Sequence, residues 1–257
     1  MNITKIIHNL STARMEFQPS NGSVLNSFVV PYFIDKLDLR KISKTVALVG
    51  SRGSGKSTYI QYFSQATRFD AQRTNVDDSE FECIILYWKP DIAYCKGLKA
   101  GWLGDGAQQL FNIHATLSLL KELAHLVENV SHHFPELKTS LNEKGNFWRC
   151  VTTVVRKEIS TIDSLNEWIM DYEYEVSTRL NPVSLEGMLS VEPKKTLIYL
   201  LESIRLDFEK FRFTSFKVFI DEFELLNEQQ QNLINTYRKE SNHQLNWNVA
   251  YKLNAKL

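Results

Sequence analysis

A short run in this chain has the residue types and spacing to hold a polyphosphate. Gly50-Ser51-Arg52-Gly53-Ser54-Gly55-Lys56-Ser57 fits G-x-x-x-x-G-K-[ST] at every position. Glycine at 50, 53 and 55 lets the backbone take positive φ and come close to phosphate. The successive N–H groups of Ser51, Arg52, Gly53 and Ser54 then point inward as an anion nest. A helix starting near Gly55 would aim the positive end of its dipole at the same anion. Lys56 would reach the β- and γ-phosphates and act in catalysis as well as binding. The Ser57 hydroxyl would take one position on Mg²⁺, and Thr58 could touch the α-phosphate. The Arg52 side chain reads as solvated on the outer side of the loop, ahead of a contact to nucleotide or partner.

A phosphate-bound Mg²⁺ needs a second, carboxylate partner. Asp221 closes the apolar run Phe216-Lys217-Val218-Phe219-Ile220 and so would stand at a strand end. In open α/β sheets ligands bind at that carboxyl edge. Glu222 follows directly and could accept a proton from an attacking water; Glu224 is the weaker candidate for that role. A polar group beside the γ-phosphate could come from the last strand. Asn254, just past its end, fits that position better than Asn248 within it. ATP is favoured over GTP because no N-K-x-D run is present.

These groups need elements to hold them. Val46-Ala47-Leu48-Val49, an apolar run without polar alternation, predicts a strand buried on both faces of a parallel sheet. Ser57 to Ser64 suits a helix. Residues 81–88 predict a strand stopped by Pro90, and the glycine-rich stretch 91–106 a loop. From 107 to 134 apolar residues recur every three or four positions, as in a long amphipathic helix ending at Pro135. Ser164 to Glu167 has capping-box spacing for a second helix whose stripe is Leu165, Trp168, Ile169, Tyr172 and Val176. Leu197, Leu200, Ile204, Phe208 and Phe211 make a third. Asn227 with Gln230 predicts a capped helix to about Lys239, and Trp247 to Tyr251 a last strand. Residues 23–44 suit a helical lead-in. The implied fold is α/β: a parallel P-loop sheet flanked by helices, with a large helical insertion between the strand before Gly50 and the strand before Asp221. The expected organisation is a peripheral segment 1–22, one half of the core at 23–106, the insertion at 107–212 and the second half at 213–257.

Composition narrows the partners. Thirty basic residues balance thirty acidic ones, which offers no global attraction to nucleic acid or an anionic membrane. Three widely spaced cysteines without C-x-x-C, no signal-like start and no membrane-length apolar run suit a cytoplasmic protein. His132-His133 reads as a solvated helix end, since adjacent helical residues point about 100° apart. Trp88, Trp102, Trp148, Trp168 and Trp247 read as core or interface residues ahead of base-stacking groups.

With G-S-R-G-S-G-K-S, the Tyr87-Trp88-Lys89-Pro90-Asp91 strand end, V-F-I-D-E-F-E and L-N-E-Q-Q-Q-N-L-I-N, the chain resembles AAA+ ATPases, in particular the prokaryotic origin-recognition-like branch. The resemblance spans about residues 23–257. It implies Lys56 and Ser57 as Walker A residues, Asp221 as the Mg²⁺-organising acid, Glu222 as catalytic glutamate and Asn254 as sensor. It also implies ATP hydrolysis, self-assembly and, for members of this branch, a setting in bacterial antiviral defence or on DNA. The gap from Lys56 to Asp221 is longer than in a compact AAA+ core, and no distal arginine sensor or fifth strand follows, so the chain reads as the first part of a longer ATPase. An ABC-type ATPase shares the long gap and the acid pair, though no L-S-G-G-Q run is present. Two roles remain open at this level: an oligomeric motor or switch, and a nucleotide-dependent scaffold or sensor that offers its insertion to a partner protein. DNA binding is the weakest.

Overall fold

The computed structural model describes residues 37–99, 103–104, 106–140, 145–178 and 185–253. Four strands, β1 (Ala47–Gly50), β2 (Cys83–Trp88), β3 (Ser215–Ile220) and β4 (Leu245–Lys252), form one parallel sheet in the order β1-β4-β3-β2. Helices α1 (Lys56–Phe63) and α2 (Gln65–Arg68) follow β1. Between β2 and β3 lie α3 (Ile92–Gly97), α4 (Gly106–His133), α5 (Pro135–Ser140), α6 (Asn146–Val155), α7 (Ile162–Thr178) and α8 (Pro193–Asp207). Helix α9 (Glu228–Lys239) joins β3 to β4.

The pleat sorts the core onto two faces. Ile85, Phe219 and Ala250 pack on the α1 side with Ile60, Phe63 and Leu39. Ile84, Leu86, Trp88, Val218, Ile220 and Trp247 face the other way, into a continuous apolar cluster that runs through α4 and α6 to α9. Each large side chain so buried contributes about 1.5–3 kcal/mol, which makes packing the main force holding these helices. Tyr237 on α9 meets Trp247 with ring centroids 4.9 Å apart.

The central strands match expectation, but β1 does not. It pairs only with β4 among the described strands and alternates exposed with half-buried residues, Val49 being exposed. An apolar run of four residues does not distinguish a central strand from an edge. The expected loop at 91–106 also contains structure: Asp91 caps α3, its carboxylate accepting the Tyr94 N–H at 3.0 Å. The second helix of the insertion starts earlier than expected. Thr161 and Ser164 form the reciprocal cap, with Ser164 N–H on Thr161 Oγ1 at 3.1 Å and Thr161 N–H on Ser164 Oγ at 3.2 Å. The Asn227–Gln230 capping box forms as expected.

Of the helical lead-in at 23–44, residues 23–36 lie outside the described structure, and 37–44 are turn and bend with no helix. This strap crosses the α1 side. The Lys217 ammonium donates to the carbonyls of Leu39, Arg40 and Ile42 at 2.7, 2.9 and 2.6 Å. Buried Glu80 accepts from Arg40 at 2.6 Å and from Arg68 and Arg73. Burial alone would raise the Glu80 pKa; the Arg68 hydrogen bond and the three guanidinium charges outweigh it and hold the carboxyl below its usual range. The strap and the α1–α2 unit are thereby tied to the base of the sheet, away from the carboxyl edge.

Candidate functional site

The carboxyl edge brings together residues far apart in sequence. Gly50 ends β1, and the loop from Ser51 to Gly55 is exposed. Gly53 and Gly55 take φ of 77° and 83°, the left-handed region where a side chain is strained. Gly55 is the N-cap of α1 and supplies no side-chain cap, so the first N–H groups of the helix keep their capacity for an anion. The Lys56 ammonium folds back over its own loop, donating to Gly50 O at 2.8 Å, Ser51 O at 3.0 Å and Ser54 Oγ at 3.4 Å. These acceptors are neutral, so an arriving phosphate would offer the lysine a stronger partner. Thr58 is half-buried in the first turn of α1, and Arg52 is exposed at the loop.

Asp221 stands just past β3 and is 3% exposed. Its backbone N–H extends the β2 pairing by bonding Trp88 O at 2.9 Å. Its Oδ2 accepts from Ser57 Oγ at 2.5 Å, across 164 positions of sequence. Two hard oxygens suited to Mg²⁺ and its waters are thus side by side at the start of α1. The residues present fit that ion.

Glu222 has left-handed backbone, φ 52° and ψ 32°, and its N–H donates to Asp221 Oδ1 at 2.9 Å. For a glutamate this conformation costs about 1–2 kcal/mol, and such strain recurs at functional positions. Glu222 is half-buried, whereas Glu224 is committed elsewhere, 3.4 Å from the Lys252 ammonium at the end of β4.

Of the two asparagines, Asn254 lies outside the described residues. Asn248 is fully buried within β4 and has structural work: its Oδ1 accepts the Val46 N–H at 2.7 Å and so closes the start of the β1–β4 ladder. Among the tryptophans, Trp88, Trp148, Trp168 and Trp247 are buried, while Trp102 lies outside the described residues. A ring nitrogen of His133 bonds Asp70 O at 2.9 Å, with the His132 ring edge-on to it. The three cysteines are free and buried. Among the described residues no helix is long and apolar enough to cross a membrane.

One residue at the edge escapes sequence reasoning. Tyr87, near the end of β2, donates its hydroxyl to the same Asp221 oxygen at 2.8 Å. Its backbone N–H, on the strand side facing away from β3, is taken by Glu122 Oε2 of α4 at 3.1 Å. The only sequence signal was a tyrosine in an otherwise apolar strand end.

A family model described as ORC-CDC6-like matches residues 9–256. No curated protein matches the chain. No solved structure matches it either.

Proposed function

Since the chain belongs to the ORC-CDC6-like family of the AAA+ ATPase lineage, and so to a family that binds ATP, we propose that it hydrolyses ATP with Mg²⁺ at the loop 50–57 and works as an oligomeric switch. The observation that carries this reading is the pairing of Ser57 with Asp221 at 2.5 Å, beside a free helix N-terminus.

The chain's own groups divide the work. The N–H groups of Ser51 to Gly55 and of the first turn of α1 cradle the phosphates, Gly50 turns the backbone into the loop, and Thr58 lies within reach of the α-phosphate side. Lys56 exchanges its loop carbonyls for β- and γ-phosphate oxygens. Ser57 and Asp221 would hold Mg²⁺, which would supply positive charge to offset that of the transferred phosphoryl group. Glu222 takes the proton of the attacking water as its carboxylate orients it, and Asn254 serves as the sensor beside the γ-phosphate. Bound ATP then changes how copies of the chain meet. In this scheme 23–106 and 213–257 contribute the two halves of the core and 107–212 is the partner-facing insertion.

The test is Glu222→Gln. A positioned general base contributes about 10²–10⁴-fold in rate, so the variant should bind ATP like wild type and lose at least a hundredfold in turnover. Wild-type turnover in that variant would remove Glu222 from the role.

A second reading, a scaffold or sensor with little turnover of its own, is favoured by one contact. Glu122 belongs to the inserted α4 and holds the backbone of Tyr87, which touches Asp221. A protein partner on the insertion would then act on the site. Low turnover by the purified chain, raised on adding that partner, would support it. The ABC-type alternative gives way to the family match. The antiviral setting rests on the resemblance, and the balanced net charge argues against DNA as a partner.

A further inference from the structure

We propose that Tyr87 is a positioning residue for Asp221, holding its carboxylate in the orientation that binds Mg²⁺. The inference rests on the reading of Asp221 as the metal-organising acid.

Tyr87 pairs with Phe219 across the β2–β3 ladder, and Asp221 lies two residues beyond Phe219. Side chains two apart on a strand emerge on the same face, so the tyrosine and the aspartate share the α1 side of the sheet. The Tyr87 ring packs against the apolar cluster there, the one containing Ile60, Phe63 and Phe219. Its hydroxyl is thereby delivered to Asp221 Oδ2 at 2.8 Å. Ser57 donates to the same oxygen, and the Glu222 N–H occupies Oδ1 at 2.9 Å.

The two hydroxyl donors are not equivalent. Ser57 stands on the loop-proximal turn of α1, and its oxygen keeps lone pairs for a cation while its proton rests on Asp221. Tyr87 offers Asp221 a second hydroxyl donor, and its own hydroxyl also lies within hydrogen-bonding reach of Ser57. Asp221 is too buried for water to replace that donor. The other end of the residue is also held: Glu122 Oε2 accepts the Tyr87 N–H at 3.1 Å and the Gln65 amide at 3.4 Å. Tyr87 therefore fixes the rotation of the Asp221 carboxylate, and with it the direction of the lone pairs left for the metal's water shell.

Tyr87→Phe deletes the hydroxyl and keeps the ring. Binding of a fluorescent ATP analogue to the full chain is measured in EDTA and through a Mg²⁺ titration, beside Asp221→Asn. Affinity in EDTA should stay at the wild-type level, while the thermal midpoint falls by a few degrees because buried Asp221 loses a donor. The Mg²⁺ concentration giving half of the affinity gain should rise about three- to tenfold, the size of an ordinary hydrogen bond's net contribution. An unchanged Mg²⁺ requirement in Tyr87→Phe, with Asp221→Asn impaired, overturns the role of Tyr87 alone. A lower Mg²⁺ requirement would make the hydroxyl a competitor of the metal and overturn it too. A fall in EDTA affinity as well as in thermal midpoint would mark Tyr87 as structural only. If Asp221→Asn itself leaves the Mg²⁺ response intact, the reading of Asp221 fails and this inference falls with it.

Discussion

Gly55 shows how one backbone angle prepares a binding loop. At φ 83°, an added Cβ would meet nothing within 4 Å, so the cost of Gly55→Ala is conformational and not steric. That cost is about 1–2 kcal/mol. The strained loop would relax by rotating the first amides of α1 away from the anion. Gly55→Ala should therefore weaken ATP binding by roughly tenfold in an equilibrium titration. Gly50 differs: its φ is not positive, and its added Cβ would lie 2.6 Å from Ser54 Oγ, the tip of a side chain that can turn aside. Gly50→Ala should cost less than Gly55→Ala, and the reverse order would show that space, not backbone angle, limits the loop. Glu222 carries the same left-handed angle without the excuse of being glycine. The neighbouring Asp221 carboxylate compensates by accepting its N–H.

At the scale of elements, the open side of β2 shows how an edge strand can be closed by a helix. Its N–H at Tyr87 meets Glu122 of α4, and Ser64 bridges to Ile85 further down. Burial raises the Glu122 pKa to about 7, the Tyr87 N–H and Gln65 amide offsetting it only in part. The folded state therefore keeps a proton that the unfolded state gives up near the ordinary glutamate pKa, about 4.3. As pH rises between these two values the native state loses stability, and above about 7 the loss is complete. Glu122→Gln stays neutral and can still accept the Tyr87 N–H. Glu122 is only half-buried, so the effect is discounted to about 1 kcal/mol. The variant should melt roughly 2–4 °C above wild type at pH 8, with the gap shrinking at pH 5. An equal gap at both values would mean that the glutamate is not protonated in the fold. Helix α9 gives a second case: its capping box contributes about 1 kcal/mol, less than the burial of Ile234 or Tyr237, so the cap sets where the helix begins and the core decides that it exists.

The molecule as a whole has a sheet whose carboxyl edge carries the candidate site and whose far end is tied down by Lys217 and the Glu80 cluster. One apolar core joins the sheet to the inserted helices, so a push on α4 has a packed route to β2. If ATP drives assembly, light scattering should show a larger species with ATP–Mg²⁺ than without it. Glu222→Gln should hold that species for longer than wild type, because its ATP is not consumed. No size change in either protein would leave binding in place and remove the oligomeric switch.

The sequence by itself indicated the phosphate loop, the acid pair, the four strands and the longest helices. Each is written in local residue types: glycines before Lys56, an apolar run before Asp221, three-to-four spacing from 107 to 134. It also indicated the helical segment between β2 and β3, because that periodicity persists through long stretches. It did not determine that β1 lies at an edge of the described sheet, because four apolar residues look alike in the middle and at the rim. Nor did it determine the caps at Asp91 and Thr161, where nearby polar residues compete for the same backbone groups. Tyr87 and Glu122 were out of reach for a stronger reason. Their meaning lies in contacts 134 and 35 positions away along the chain, and only the packing of β2 between β3 and α4 brings those partners within a hydrogen bond of each other.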